Sequence, residues 1–182
     1  MERITDIAHK IIKDHINSSS VVIDATCGNG NDTYFLANIV KTGKILAYDI
    51  QDIAIENTKK LCQEFTNIEY HHESFSNIEA KGLDLVLFNL GYLPHGDKSV
   101  LTTKDETIKT LKKLTNNIEL NPNILILVVV YPKHDEGSLE SKAILKLCKN
   151  LDRNKYDTMI IQPLNKELSP YIITIRYNQK CH

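Results

Sequence analysis

The stretch Asp24-Ala25-Thr26-Cys27-Gly28-Asn29-Gly30-Asn31-Asp32 decides how this chain is read. It follows Val21-Val22-Ile23, a short apolar run of the kind that forms a buried parallel strand. It leads into a helical pattern from about Asp32 to Val40. Glycines at alternate positions admit positive φ and let a ligand approach the backbone closely. In an isolated turn the pair would mean little. Between a first strand and a first helix it reads as a nucleoside-binding loop.

The flanking sequence repeats the same alternation. Before the loop, Ile4, Ile7, Ala8, Ile11 and Ile12 recur at helical spacing. After it come a strand at Lys44–Asp49, a helix over Ile53–Phe65, a weaker strand at 67–71 and a strong one from Leu83 to Phe88 ending at Asn89. Thr103-Lys104-Asp105-Glu106 has the form of a capping box and opens a helix to about Leu114. A strand over Ile124–Tyr131 and a helix over Ser138–Leu151 follow. Tyr156–Gln162 and Tyr171–Tyr177 are strands joined by a linker too short for a crossover helix, so they pair antiparallel. The expectation is an α/β fold, doubly wound and Rossmann-like. Its seven-stranded sheet is mostly parallel, with an antiparallel C-terminal pair. Length and the lack of any linker composition predict one domain over 1–182.

Ligands of such sheets sit at the carboxyl ends of the central strands. Asp24, Asp49 and Asn89 all end strands. Asp49 lies about 20 residues past the glycine loop, where a ribose-binding carboxylate belongs. A strand-end Asp that merely caps the next helix is the bland alternative. The dinucleotide fingerprint asks for a third glycine, and Thr33 stands there. Asn31 and Asp32 open the helix instead, and an acid at that point disfavours a pyrophosphate and suits a cation. S-adenosylmethionine, with a sulfonium and an amino group, fits this chemistry, and Asp24 is within reach of the ammonium. Gly28, Asn29, Asn31, Asp32, Asp49, Gln51 and Ser74 are the candidate cofactor residues.

Asn89-Leu90-Gly91-Tyr92-Leu93-Pro94 is similar to the Asn-Pro-Pro-Tyr element of amino-group methyltransferases, with Leu-Gly in place of Pro-Pro. An amide oxygen that accepts the N–H bonds of a neutral amine aims its lone pair at a methyl group. An aromatic ring at Tyr92 offers a stacking surface for a base. His134, in Tyr131-Pro132-Lys133-His134, is a candidate base or orienting group. Asn89, Tyr92 and His134 are therefore the candidate catalytic residues; a turn with a packed tyrosine is the plainer reading of the first two. No metal is expected, because the cysteines show no ligand spacing and His71 and His72 point to opposite faces of a strand. Cys27 reads as a small packing residue, since it lies in the cofactor loop and away from the position of a thiolate nucleophile.

These motifs resemble the MnmM (YtqB-like) methyltransferases, first labelled rRNA methylases. The likeness runs through Asp24–Thr33, Tyr48-Asp49-Ile50-Gln51, Phe88–Ser99, Val130-Tyr131, His134 and Glu136-Gly137, and is looser beyond Ser169. The resemblance implies a class I methyltransferase that methylates the exocyclic amine of 5-aminomethyl-2-thiouridine at the tRNA wobble position. It assigns Asn29, Asn31, Asp32, Asp49, Gln51 and Ser74 to the cofactor, and Asn89 and Tyr92 to the modified uridine. Phe75 departs from it, standing where a histidine is frequent. An alkylamine is largely protonated near neutral pH, so the site must favour the neutral form; Asp32, Asn89 and His134 are all candidates. An rRNA or a small-molecule amine is the alternative substrate.

Net charge is −1, which argues against a strongly basic duplex binder. RNA held by a local patch stays open, with Lys98, Lys104, Lys133 and Lys142 as candidates by position. The partner expected is the tRNA anticodon region, with a homodimer open. The charged N-terminus and the shortness of the longest apolar run predict no signal peptide and no membrane span. Unpaired cysteine spacing predicts reduced thiols and a cytoplasmic protein.

Overall fold

A computed structural model of the chain describes residues 3–91, 103–133, 135–166 and 168–178. Its helices are α1 (Ile4–Lys13), α2 (Asn31–Ile39), α3 (Asp52–Leu61), α4 (Lys104–Asn116) and α5 (Asp135–Lys149). The strands are β1 (Val21–Asp24), β2 (Lys44–Asp49), β3 (Ile68–His72), β4 (Leu85–Asn89), β5 (Leu125–Val130), β6 (Tyr156–Ile161) and β7 (Tyr171–Tyr177). They form one seven-stranded sheet in the order β3-β2-β1-β4-β5-β7-β6. β3, β2, β1, β4 and β5 run parallel, and β7 is antiparallel to both β5 and β6. The strand order reverses between β1 and β4, which opens the crevice where such sheets bind ligands.

Alternation along the strands divides the core in two. Val22, Leu85, Leu87, Leu125 and Leu127 pack with Ala8 and Ile12 of α1 and Leu36 and Ala37 of α2. Ile23, Val86, Phe88, Ile126 and Val128 pack with Leu111 and Leu114 of α4 and Ile144 of α5. Every residue of β5 is buried, as expected of a strand covered on both faces.

The sequence pattern left the place of the last two strands open. β7 is inserted between β5 and β6, and composition accounts for it. Tyr171-Ile172-Ile173-Thr174-Ile175 is buried throughout, whereas the middle of β6 is exposed. The more apolar strand takes the interior. Two helices also differ in extent from the pattern. α3 ends at Leu61 and not at Phe65, because the chain turns and Phe65 packs edge-on against Tyr34 with ring centroids 5.6 Å apart. α5 begins at Asp135, three residues ahead of Ser138. The capping box of α4 forms as read: Glu106 N donates to Thr103 Oγ1 at 3.3 Å and Thr103 N to Glu106 Oε2 at 3.0 Å.

The glycine loop packs closely on α3 at Gly30. Its φ is +84°, and a β-carbon there would lie 2.9 Å from Thr58 Cα. Gly30→Ala is expected to cost about 1–3 kcal/mol, a fall of roughly 2–4 °C in Tm per kcal/mol for a chain of this size. Thermal unfolding followed by circular dichroism measures it; an unchanged Tm would mean that the loop relaxes freely.

Candidate functional site

The loop between β1 and α2 is lashed to β2 and α3. Cys27 N donates to Tyr48 O at 2.9 Å and Gly28 N to Asp49 Oδ2 at 3.0 Å. Gly28 has φ 54°, a left-handed conformation that glycine adopts without penalty. From α3, Thr58 Oγ1 donates to Gly28 O at 3.1 Å and Asn57 Nδ2 to Asn29 Oδ1 at 3.0 Å. Gln51 N donates to the second oxygen of Asp49 at 3.0 Å. Each Asp49 oxygen therefore accepts one backbone N–H and keeps a further lone pair for hydroxyl donors. A half-buried carboxylate at a strand end beside an open glycine backbone is suited to a ribose diol, so these residues fit a nucleoside cofactor.

Asp24 does not face a ligand as the sequence suggested. It is wholly buried, with Thr33 Oγ1 donating to Oδ2 at 2.6 Å and Thr26 N to Oδ1 at 3.2 Å. Loss of solvation, joined by the nearby charge of Asp32, pushes its carboxyl up to about 7. It braces the loop from beneath. Thr33, read only as a missing glycine, is the donor that makes this burial tolerable.

Asp32 is the junction of three elements. Its Oδ2 accepts from Asn89 Nδ2 of β4 at 2.8 Å, and its Oδ1 lies 2.6 Å from His9 Nε2 of α1. The Asn89 backbone is pinned in turn by Thr26, whose Oγ1 accepts from Asn89 N at 2.8 Å and donates to Asn89 O at 3.2 Å. A carboxylate only accepts, so the Asn89 amide must present nitrogen to Asp32. Its oxygen is directed away, and Asn89 Oδ1 is buried without a hydrogen-bond partner among the described residues. An orphaned buried acceptor costs about 1–3 kcal/mol, a cost that a ligand N–H would remove.

Of the other candidates, Asn31 is exposed at the first position of α2 and Gln51 precedes α3. Ser74 accepts from Ser76 N and donates to Glu106 Oε1 at 2.9 Å, joining the turn after β3 to the start of α4. Phe75 is a core residue, edge-on to Phe88 at 5.3 Å, which explains why no polar group is needed there. Tyr92, His134 and Lys98 lie outside the described residues. Lys104, Lys133 and Lys142 are exposed.

Burial pushes the Cys27 thiol up, and the side chain packs with Ala47 and Ile55, as a structural cysteine should. His71 stacks on Tyr48 and His72 bonds Ile50 O, so the two diverge. No group of three or more His, Cys, Asp or Glu among the described residues could hold a metal. No helix among them is long and apolar enough to cross a membrane.

Sequence reasoning missed His9, Thr26 and Thr33. Nothing in α1 marks its histidine, which reads as one polar position among isoleucines.

Residues 45–176 match the family described as "Putative rRNA methylase". A chloroplastic tRNA (mnm5s2U34)-methyltransferase of Arabidopsis thaliana is 34% identical over 94% of this chain and 68% of its own length. A crystal structure of a putative rRNA methylase from Clostridium thermocellum superposes with a TM-score of 0.87 at 32% identity, covering 98% of this chain and 99% of that one. A putative methyltransferase from Streptococcus mutans, solved in complex with S-adenosylhomocysteine, gives 0.84 at 28% identity over the same shares.

Asp24 supplies a pH test. Its folded-state pKa is raised, so its contribution to stability is complete below the ordinary carboxylate pKa and is lost as pH rises toward about 7. Asp24→Asn keeps an acceptor for Thr26 N, turns an amide N–H toward Thr33 Oγ1 in place of the bond that hydroxyl donates, and cannot ionise. Urea unfolding of variant and wild type at several pH values should show the variant gaining on the wild type between about pH 4 and 7, by at most about 1.4 kcal/mol per pH unit. A difference that does not vary with pH would mean Asp24 is charged throughout.

Proposed function

From its membership of the rRNA methylase family, to which this chain belongs as an S-adenosylmethionine-dependent methyltransferase, we propose that it methylates the exocyclic amine of 5-aminomethyl-2-thiouridine at the tRNA wobble position. The likenesses bear out the resemblance to MnmM-type enzymes, the α/β class and the cofactor expected from the sequence. One observation carries the reading toward an amine: the unpartnered, buried Oδ1 of Asn89. The Arabidopsis relative, named for a methylated aminomethyl uridine, supports the same substrate class.

S-adenosylmethionine supplies an electrophilic methyl carbon on a sulfonium. Asp49 would receive the ribose hydroxyls, and the Gly28–Asn29 backbone would help hold the nucleoside. Asn31, Gln51 and Ser74 line the same ends of the sheet and complete the cofactor set. Asn89 Oδ1 accepts an N–H of the substrate amine, which leaves the nitrogen lone pair free and fixes its direction. Alignment of this kind contributes roughly 7–11 kcal/mol in well-oriented reactions. Asp32 lies behind the Asn89 amide and draws the alkylammonium form to the site; the nitrogen attacks only after its extra proton has passed to solvent. The family resemblance assigns Tyr92 to stacking on the base and His134 to acid–base or orienting work. Residues 1–182 act as one catalytic domain, supported by a single sheet that takes in strands from Val21 to Tyr177. The buried thiols of Cys27, Cys62 and Cys148 support action in a reducing compartment such as the cytoplasm, and the RNA partner is the anticodon region.

Purified enzyme, cofactor and tRNA carrying 5-aminomethyl-2-thiouridine should yield 5-methylaminomethyl-2-thiouridine by nucleoside mass spectrometry. Asn89→Ala should lower kcat by about 100-fold with S-adenosylhomocysteine affinity retained. A methylated rRNA or small amine in place of the tRNA product would overturn the substrate, and equal losses of turnover and cofactor affinity would move Asn89 into the cofactor site. Asp49→Ala should weaken S-adenosylhomocysteine binding by about 10- to 100-fold in calorimetry, the worth of charge-assisted hydrogen bonds. Undiminished affinity would place the ribose elsewhere.

A further inference from the structure

His9 lies on α1, ahead of the first strand and outside every motif that marks the site. Yet its side chain enters the network through two contacts that fix both position and orientation. The imidazole stacks on Phe35 with ring centroids 3.8 Å apart and an interplanar angle of 3°. Nε2 meets Asp32 Oδ1 at 2.6 Å. Asp32 and Phe35 stand one turn apart on α2, so they present a carboxylate and a ring on one face. Together they form a receptor for a flat donor. The ring is about a quarter exposed and the Asp32 carboxyl about an eighth, at 26% and 12%, so the contact is largely shielded from water.

The other oxygen of Asp32 holds the Asn89 nitrogen. An amide of Asn has two nearly isosteric orientations, and only one leaves an acceptor for a substrate. That choice holds only while the carboxylate stays seated against the amide nitrogen. Asp32 has a single bond to rotate about at its end, and the His9 contact is what secures its second oxygen. We propose that His9 is a positioning residue for methyl transfer: through Asp32 it locks the Asn89 amide with Oδ1 toward the acceptor amine. The inference rests on the reading of Asn89 given above. It gives α1 a part in turnover as well as in the core.

The consequences separate from those of a merely structural histidine. His9→Ala should lower kcat roughly 10- to 100-fold, because misplacement of about 1 Å at a reacting group can cost that much. KM for the cofactor and affinity for S-adenosylhomocysteine should stay within about twofold. His9→Gln keeps an N–H donor at similar reach and should recover most of the loss. In an Asn89→Ala background, measured by single turnover, His9→Ala should cost nothing further, since residues acting as one unit are non-additive.

A second readout needs no substrate. In nitrogen-15 spectra the Asn89 side-chain amide should give one slowly exchanging pair of signals in wild type and His9→Gln. In His9→Ala the pair should broaden or exchange with water. Wild-type turnover in His9→Ala, additive losses with Asn89→Ala, or an unchanged Asn89 amide signal would each overturn the inference. A wild-type enzyme that leaves the aminomethyl uridine untouched, while the amide signal responds to His9 as stated, would overturn the substrate assignment and not the relay.

Discussion

A single carboxylate, Asp32, ties the start of α2 to the end of β4 and to the middle of α1. Those three elements come from opposite sides of the crevice that the strand order opens. Without such a tie, Asn89 would end a strand with a freely turning amide, and the crevice would have a shape but no direction. The site depends on this because its chemistry is mostly alignment. The carboxylate that would otherwise offer itself to a ligand is committed within the protein, so it acts through Asn89.

Beneath that junction lies a second acid with a different task. Asp24 is buried, shares its oxygens between Thr26 and Thr33, and is disfavoured as an anion by desolvation and by Asp32. Two carboxyls so close are tolerable when one is inclined to hold its proton. The same Thr26 also clasps the backbone of Asn89. The glycine loop, the buried acid and the end of β4 at Asn89 therefore form one continuous hydrogen-bonded body, and the loop is a shaped surface more than a flexible turn.

The proposed cofactor and acceptor groups are also separated by chain segment. Asp49 and Gly28 lie on the β2 side of β1, and Asn89 on the β4 side. The parallel register brings Asp24 level with Ala47 and Leu87, so the two groups flank the loop from either side. In the proposed reaction that arrangement would let one short stretch of backbone hold the nucleoside while the next strand end meets the group to be methylated.

Much of this was legible in the residues alone. Buried parallel strands announce themselves as short apolar runs, the capping box at Thr103–Glu106 is a local pattern, Asp49 and Asn89 stand out by their places at strand ends, and Gly28 by its place in the loop after β1. Local physics sufficed for each. The sequence could not say that Asp24 is a brace and not a ligand, because burial is a property of packing. Nor could it say that β7 enters the sheet before β6, a choice between two apolar segments made by competition for one interior slot. Least of all could it assign His9, whose role arises only when α1 folds against α2 and brings an imidazole over Phe35 and onto Asp32. Sequence periodicity determined which elements exist and which ends of them bear chemistry. Tertiary structure decided which polar groups are used up on one another and which acceptors, Asn89 Oδ1 among them, are left for a ligand, since hydrogen-bond partners far apart in the chain are matched only by the folded geometry.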